Sequence, residues 1–109
     1  MDLHIEVTAA HIDAGEREQC DKCPIALAVR EVLPARFDLI AVDCTGITAR
    51  ELTDNRSPLR PMFYDHFWRL PQSAQDFIHV FDVPTNGNED EPEYAPVYPF
   101  SFTAHEVEP

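Results

Sequence analysis

Cys20 and Cys23 stand in a C-x-x-C spacing, and Pro24 follows the second cysteine directly. Proline suits the first helical position, where its missing N–H is not needed and its φ is already helical. Cys23 therefore reads as an N-cap, with a helix opening at Pro24. The unpaired N–H groups and the dipole of a helix start favour a thiolate. Three chemistries fit this pair. The cysteines could be small reduced residues that pack the helix start. They could give two ligands of a zinc site, with His11 as a third and Cys44, His4 or His105 as further donors. They could form a redox pair or a disulfide, although the polar run GEREQ precedes them where a thioredoxin-like site would have a hydrophobic strand. Spacing alone leaves the three open.

Other chemistry is sparse. The chain has 3 glycines, no Gly-rich phosphate loop and no nucleophile elbow. Asp43, Asp65, His66 and His79 can titrate, but no spacing makes them converge. Asp65 and His66 are adjacent, so on a strand they point to opposite faces. The chain accordingly reads as non-enzymatic. A recognition surface is better founded. The segment Met62–Leu70 (MFYDHFWRL) carries aromatic residues on both faces of a strand, so either both are covered or one is a binding patch. Phe63, Phe67 and Trp68, together with Arg56 and Arg60 of the loop Asp54–Pro61, are the candidate interaction residues.

The elements that would carry these residues follow from hydrophobic period. Leu3, Ile5 and Val7 alternate with polar residues and predict a half-buried strand. Thr8 predicts the cap of a short helix over Ala9–Ala14, with Gly15 as its C′ residue. From Pro24, the residues Ile25, Ala28, Val29, Val32 and Leu33 form one buried helical stripe that Pro34 ends. Phe37–Cys44, Ile47–Leu52 and Met62–Leu70 predict a meander of three strands. Pro71 opens a second helix to about Asp82, buried through Ala74, Phe77, Ile78 and Phe81. Pro84–Pro96 reads as a flexible acidic loop. A closing strand spans Val97–Val107, where Pro99 suits an edge or a strand start. The sum is one compact α+β domain over residues 1–109: strand, helix, three strands, helix, strand, with a mostly antiparallel sheet and both main helices on one face. An exposed edge at Val97–Val107 would allow a homodimer.

Charge narrows the partners. The net charge is −12, from 20 Asp and Glu against 8 Lys and Arg, and no base follows Arg69. Direct binding to nucleic acid or to an anionic membrane needs basic surface and is not expected. No apolar run approaches the roughly 18 residues of a membrane span. MDLHIEV has neither the basic region nor the apolar core of a signal peptide, so a cytoplasmic location is expected. The odd count of 3 cysteines agrees with a reducing compartment.

Several segments together resemble a family of small uncharacterised proteins of actinobacteria and their bacteriophages. The resemblance rests on His11, Ile12 and Gly15 (H-I-x-x-G) and on the helix start C-x-x-C-P-I-A-L-A, from Cys20 through Cys23 and Pro24 to Ala28. It extends to Phe77, Ile78, Phe81 and Asp82, then to Pro99, Phe100 and Phe102. The segments Asp54–Pro61 and Asn86–Pro92 are longer than in that pattern. What the resemblance implies is a phage or prophage origin, hence a host cytoplasm, and no mechanism.

Two function classes lead from this reading. The first is a small acidic accessory protein that binds a host protein. The second is an acidic mimic of nucleic acid that occupies a basic cleft, motivated by the base-free stretch from Leu70 to Pro109. A metal-binding or redox protein built on Cys20 and Cys23 is the third, with zinc as the candidate ion and otherwise no cofactor expected.

Overall fold

The computed structural model describes residues 1–52 and 63–107. The elements are β1 (Leu3–Val7), α1 (Ala9–Ala14), α2 (Pro24–Val32), β2 (Phe37–Val42), β3 (Gly46–Leu52), β4 (Phe63–Arg69), α3 (Gln72–Asp82) and β5 (Phe100–Glu106). All strand pairs are antiparallel, in the order β1-β5-β4-β3-β2. This is the α+β domain expected from hydrophobic period, with the short α1 as a third helix.

Local chemistry explains each helix end. Thr8 caps α1 through a reciprocal pair. Its side chain accepts the His11 N–H at 3.4 Å, and its own N–H donates to His11 Nδ1 at 2.9 Å. A histidine here does what Glu or Gln does in the usual capping box. Cys23 caps α2, its Sγ accepting the Ala26 N–H at 3.4 Å, and Pro24 takes the first helical position. Gly15 closes α1 with an extended backbone, at φ −70°. It is glycine for a steric reason: a Cβ there would lie 2.6 Å from Pro24 Cδ. Val32 leaves the buried stripe because α2 ends there, and Leu33 takes its place in the core. Pro71 is the N-cap of α3 and not its first residue.

One face of the sheet holds the core. Leu3, Ile5 and Val7 of β1, Phe102 and Ala104 of β5, Trp68 of β4 and Ile47 and Ala49 of β3 are all buried there. Helix α2 packs on β1 and β2 through Ile25, Ala26, Ala28 and Val29. Helix α3 joins through Phe77, whose ring stacks 4.8 Å from that of Phe100. Both long helices therefore cover the same side. The other side presents His4, Glu6, Ser101, Thr103, His105, Arg69 and Phe63 to solvent, with no helix over it among the described residues.

Two expectations are corrected. Strand β5 is not an outer strand: it lies between β1 and β4, pairing with β1 through Phe100–Ala104 and with β4 only at His105 and Glu106, and the outer strands are β1 and β2. The chain reversal after α3 allows this, because it returns β5 into the sheet beside β4. The stretch after α3 carries hydrogen bonds of its own. Thr85 donates its N–H to the Glu93 carbonyl at 2.7 Å, and Asn86 Oδ1 accepts the N–H groups of Asn88 and Glu93 at 3.1 and 3.2 Å. The Arg17 guanidinium, 3.9 Å from the Tyr94 ring centroid, pins the loop to the segment before α2. Finally, β2 stops at Val42 and is interrupted. Its register slips between Asp38 and Ala41, and Leu39 sits at φ +49°.

The seam between β4 and β5 is short. It consists of the pairs Trp68↔Glu106 and Arg69↔His105 plus the Val107 N–H donated to the Phe67 carbonyl at 2.8 Å. No described helix is long and apolar enough to cross a membrane.

Candidate functional site

Strand β4 divides its side chains strictly between the two faces of the sheet. Trp68 and His66 point to the core side, and Phe63, Asp65 and Phe67 to the bare side, as the register with β3 requires.

On the bare side, Leu39, Thr48, Arg50, Asp65, Phe67 and Val107 line an open groove of about 520 Å³. Arg50 and Asp38 form a bidentate pair across β3 and β2, both N···O distances being 2.8 Å. The hydrogen bonds from Arg50 hold the Asp38 carboxyl below its ordinary value, and Asp38 in turn raises Arg50. The guanidinium also lies 5.1 Å from the Phe63 ring centroid. Phe67 spreads over Gly46, where a Cβ would collide with its ring and lie 2.5 Å from the Trp68 carbonyl. Leu39 is 68% exposed and Phe63 45% exposed. The groove thus combines apolar side chains (Leu39, Phe67 and Val107) with Thr48, Asp65 and the Arg50–Asp38 ion pair, and it offers surface for contact.

On the covered side, His66 bridges two strands. Its Nδ1 faces Glu106 Oε2 at 2.9 Å, and its Nε2 faces Glu51 Oε1 at 3.0 Å. With a carboxylate at each ring nitrogen, the imidazolium, which donates from both nitrogens, is the form that satisfies both contacts. Burial works against that charge, but the hydrogen bonds to Glu106 and Glu51 outweigh it and raise His66 above its ordinary value. Glu51 is lowered by Arg36 first and His66 second, and Glu106 by His66 and the terminal ammonium of Met1. The His66 ring stacks on Trp68 at 5.5 Å and meets Phe37 at 5.3 Å. The arrangement balances charge and ties β3, β4 and β5 together.

The third feature is a cleft of about 220 Å³ lined by Cys20, Cys23 and Cys44 along with Asp43, Ile78 and Asp82. Cys20 and Cys44 are exposed free thiols, and Cys23 is buried. Burial pushes the Cys23 thiol up, so it stays protonated.

The structure sorts the residues singled out from sequence. Phe63 and Phe67 share the bare face. Trp68 does not belong with them: it is 0% exposed, packed in the core, and donates its indole N–H to the Met1 carbonyl at 2.6 Å. Arg56 and Arg60 lie outside the described residues. The set Cys20, Cys23 and His11 is not brought together. His11 uses Nδ1 on Thr8 and Nε2 on Glu31, at 2.9 and 2.7 Å. Glu31 is eight residues along from Cys23, about 12 Å of helix. Among the described residues, no three of His, Cys, Asp and Glu are placed to hold a metal ion. Cys44 does join Cys20 and Cys23, although His4 and His105 hydrogen-bond to Thr103 and Asp2 on the outer face instead. Asp43 is spent on its own turn, its Oδ1 accepting from Thr45 N, Thr45 Oγ1 and Gly46 N. Leu39, Arg50, Glu51 and Glu106 were not foreseen. Their positions depend on strand register and on the β2 bulge, neither of which has a sequence signal here.

No protein family, curated protein or solved structure matches the chain.

Proposed function

We propose that the chain is a small acidic protein-binding module whose recognition surface is the bare face of β2, β3 and β4. One observation carries this reading: Leu39. A leucine at positive φ costs about 1–2 kcal/mol against an extended backbone, and here the strained residue is also exposed. It gains little from burial, so local stability does not explain it. Such a choice is the mark of a residue kept for contact. Phe63, Phe67 and Val107 continue the same apolar surface.

The occupant that fits is a protein with an apolar patch ringed by Lys and Arg. The net charge of −12 supplies the complementarity, and Asp38 and Asp65 stand on or beside the groove. The resemblance to actinobacterial and phage proteins adds that the partner would be a host protein and the role that of a phage accessory factor.

The test is capture from an actinobacterial lysate at low and raised salt, with Leu39→Ser and Phe63→Ser in parallel. A partner that survives salt and is lost with both variants supports the reading. Partners retained equally by the variants overturn it. Basic nucleic-acid-binding proteins that leave at raised salt and ignore the variants would favour mimicry instead.

A further inference from the structure

We propose that Cys20 and Cys44 are a dithiol that closes into a disulfide on exposure to hydrogen peroxide. The pair is not the C-x-x-C pair. It joins residues from two separate loops that the fold brings to one cleft.

Both loops are held in place. The Val42 N–H donates to the Cys20 carbonyl at 2.7 Å, which fixes the loop before α2 alongside the end of β2. Cys44 follows two residues later, in the turn that Asp43 Oδ1 fixes through three hydrogen bonds. On the other wall, Arg17 Nε donates to the Phe81 carbonyl at 2.9 Å, and the Glu18 N–H donates to Asp82 Oδ1 at 3.1 Å. Cys20 and Cys44 therefore line one cleft from short, anchored segments, and a disulfide closes there once their Cα atoms lie within about 7 Å.

Cys23 lines the same cleft but is the wrong partner. Its sulfur already accepts the Ala26 N–H and caps α2, and the residue is buried. Bonding it to Cys20 would turn the sulfur away from the helix start and leave that N–H unpaired. Cys20 and Cys44 are both exposed, so an oxidant reaches them without unfolding.

The chemistry is balanced. One thiol sulfur attacks a peroxide oxygen, the O–O bond breaks, and a sulfenic acid and one water result. The second thiol sulfur attacks the sulfenic sulfur, the S–O bond breaks, and a second water leaves. Two electrons and two protons pass from the thiols to the peroxide, and no other reactant is needed. The product would staple the loop before α2 to the β2–β3 turn.

The experiment treats the reduced full chain with hydrogen peroxide, counts free thiols after denaturation and maps the linked peptides by mass spectrometry. The expected result is loss of two of the three thiols, a Cys20–Cys44 peptide, an unmodified Cys23 and reversal by dithiothreitol. Cys20→Ser and Cys44→Ser should each abolish the intramolecular link while leaving the circular dichroism spectrum unchanged, because both sites are exposed. A Cys20–Cys23 peptide, a disulfide between two chains, three thiols still free, or sulfinic acid without a link would each overturn the proposal.

Discussion

Trp68 and Phe63 lie on one strand and belong to one aromatic run, yet they occupy opposite worlds. Trp68 has no exposed surface, packs against Phe37 at 6.2 Å and His66 at 5.5 Å, and finds a partner for its indole N–H. Phe63 is nearly half exposed, with the Arg50 guanidinium 5.1 Å from its ring centroid. The difference comes from parity, since one strand position separates core from solvent. It teaches that an aromatic count along β4 says little until the covered face is known. On the covered face the large residues hold the fold together. On the bare face they cost the protein exposed apolar surface, and a binding role explains why they are kept.

The sharpest way to break this comparison is truncation on each face. Trp68→Ala should destabilise the protein by about 3–5 kcal/mol in chemical denaturation, whereas Phe63→Ala should stay within about 0.5 kcal/mol. Equal losses would mean that the bare face is covered in the native protein. Gly46→Ala comes next. The added methyl meets the Phe67 ring and the Trp68 carbonyl well inside contact distance, and overpacking of this kind costs about 1–3 kcal/mol. A neutral result would show that Phe67 swings freely off the bare face.

His66 gives a smaller effect with a pH signature. Its folded value is raised, so its contribution is complete below the unfolded value and fades as pH rises through the folded one. Glu51 and Glu106 are lowered, so theirs is present above the ordinary carboxylate range and fades in acid. His66→Gln should therefore cost about 1 kcal/mol near pH 6 and progressively less above it. Denaturation curves at several pH values check this, and a cost independent of pH would mean that the ring is neutral. Smallest is Leu39→Gly. Relief of left-handed strain, about 1–2 kcal/mol, exceeds the extra chain entropy of glycine, about 0.5–1, so a gain of about 0.5 kcal/mol is expected in thermal melts. A loss would show that the leucine is packed and remove the main reason for assigning the groove a contact role.

Some of this was legible from residue order. Thr8 and Pro24 mark their helix starts because a cap and a proline have local causes. Leu3, Ile5 and Val7 alternate because β1 has one wet face. The rest depended on distant partners. His11 carries a capping contact that the usual Glu or Gln pattern does not announce. Trp68 could not be assigned to a face without knowing which side α2 and α3 cover. Residues Glu51 and Glu106 meet His66 only because of the β3–β4 and β4–β5 registers, and Cys44 meets Cys20 only through the end of β2. The position of β5 inside the sheet is set by pairings on both sides, whereas Pro99 reports only that the strand has not yet begun.

The pairing of β1 with β5 has a consequence for how the chain reaches this state. His4 and Thr103 are partners across 99 residues, and Ile5, fully buried, lies opposite Phe102. On the ribosome β1 emerges long before its hydrogen-bonding mate. Until then Leu3, Ile5 and Val7 can lean only on α2, with their backbone groups open to any passing strand. Closing so long a loop is slow compared with forming the β2–β3–β4 meander, whose contacts are local. The nascent chain would thus assemble its meander early and complete its sheet as the last step. Before that step β1 is the segment most exposed to aggregation or to chaperone capture.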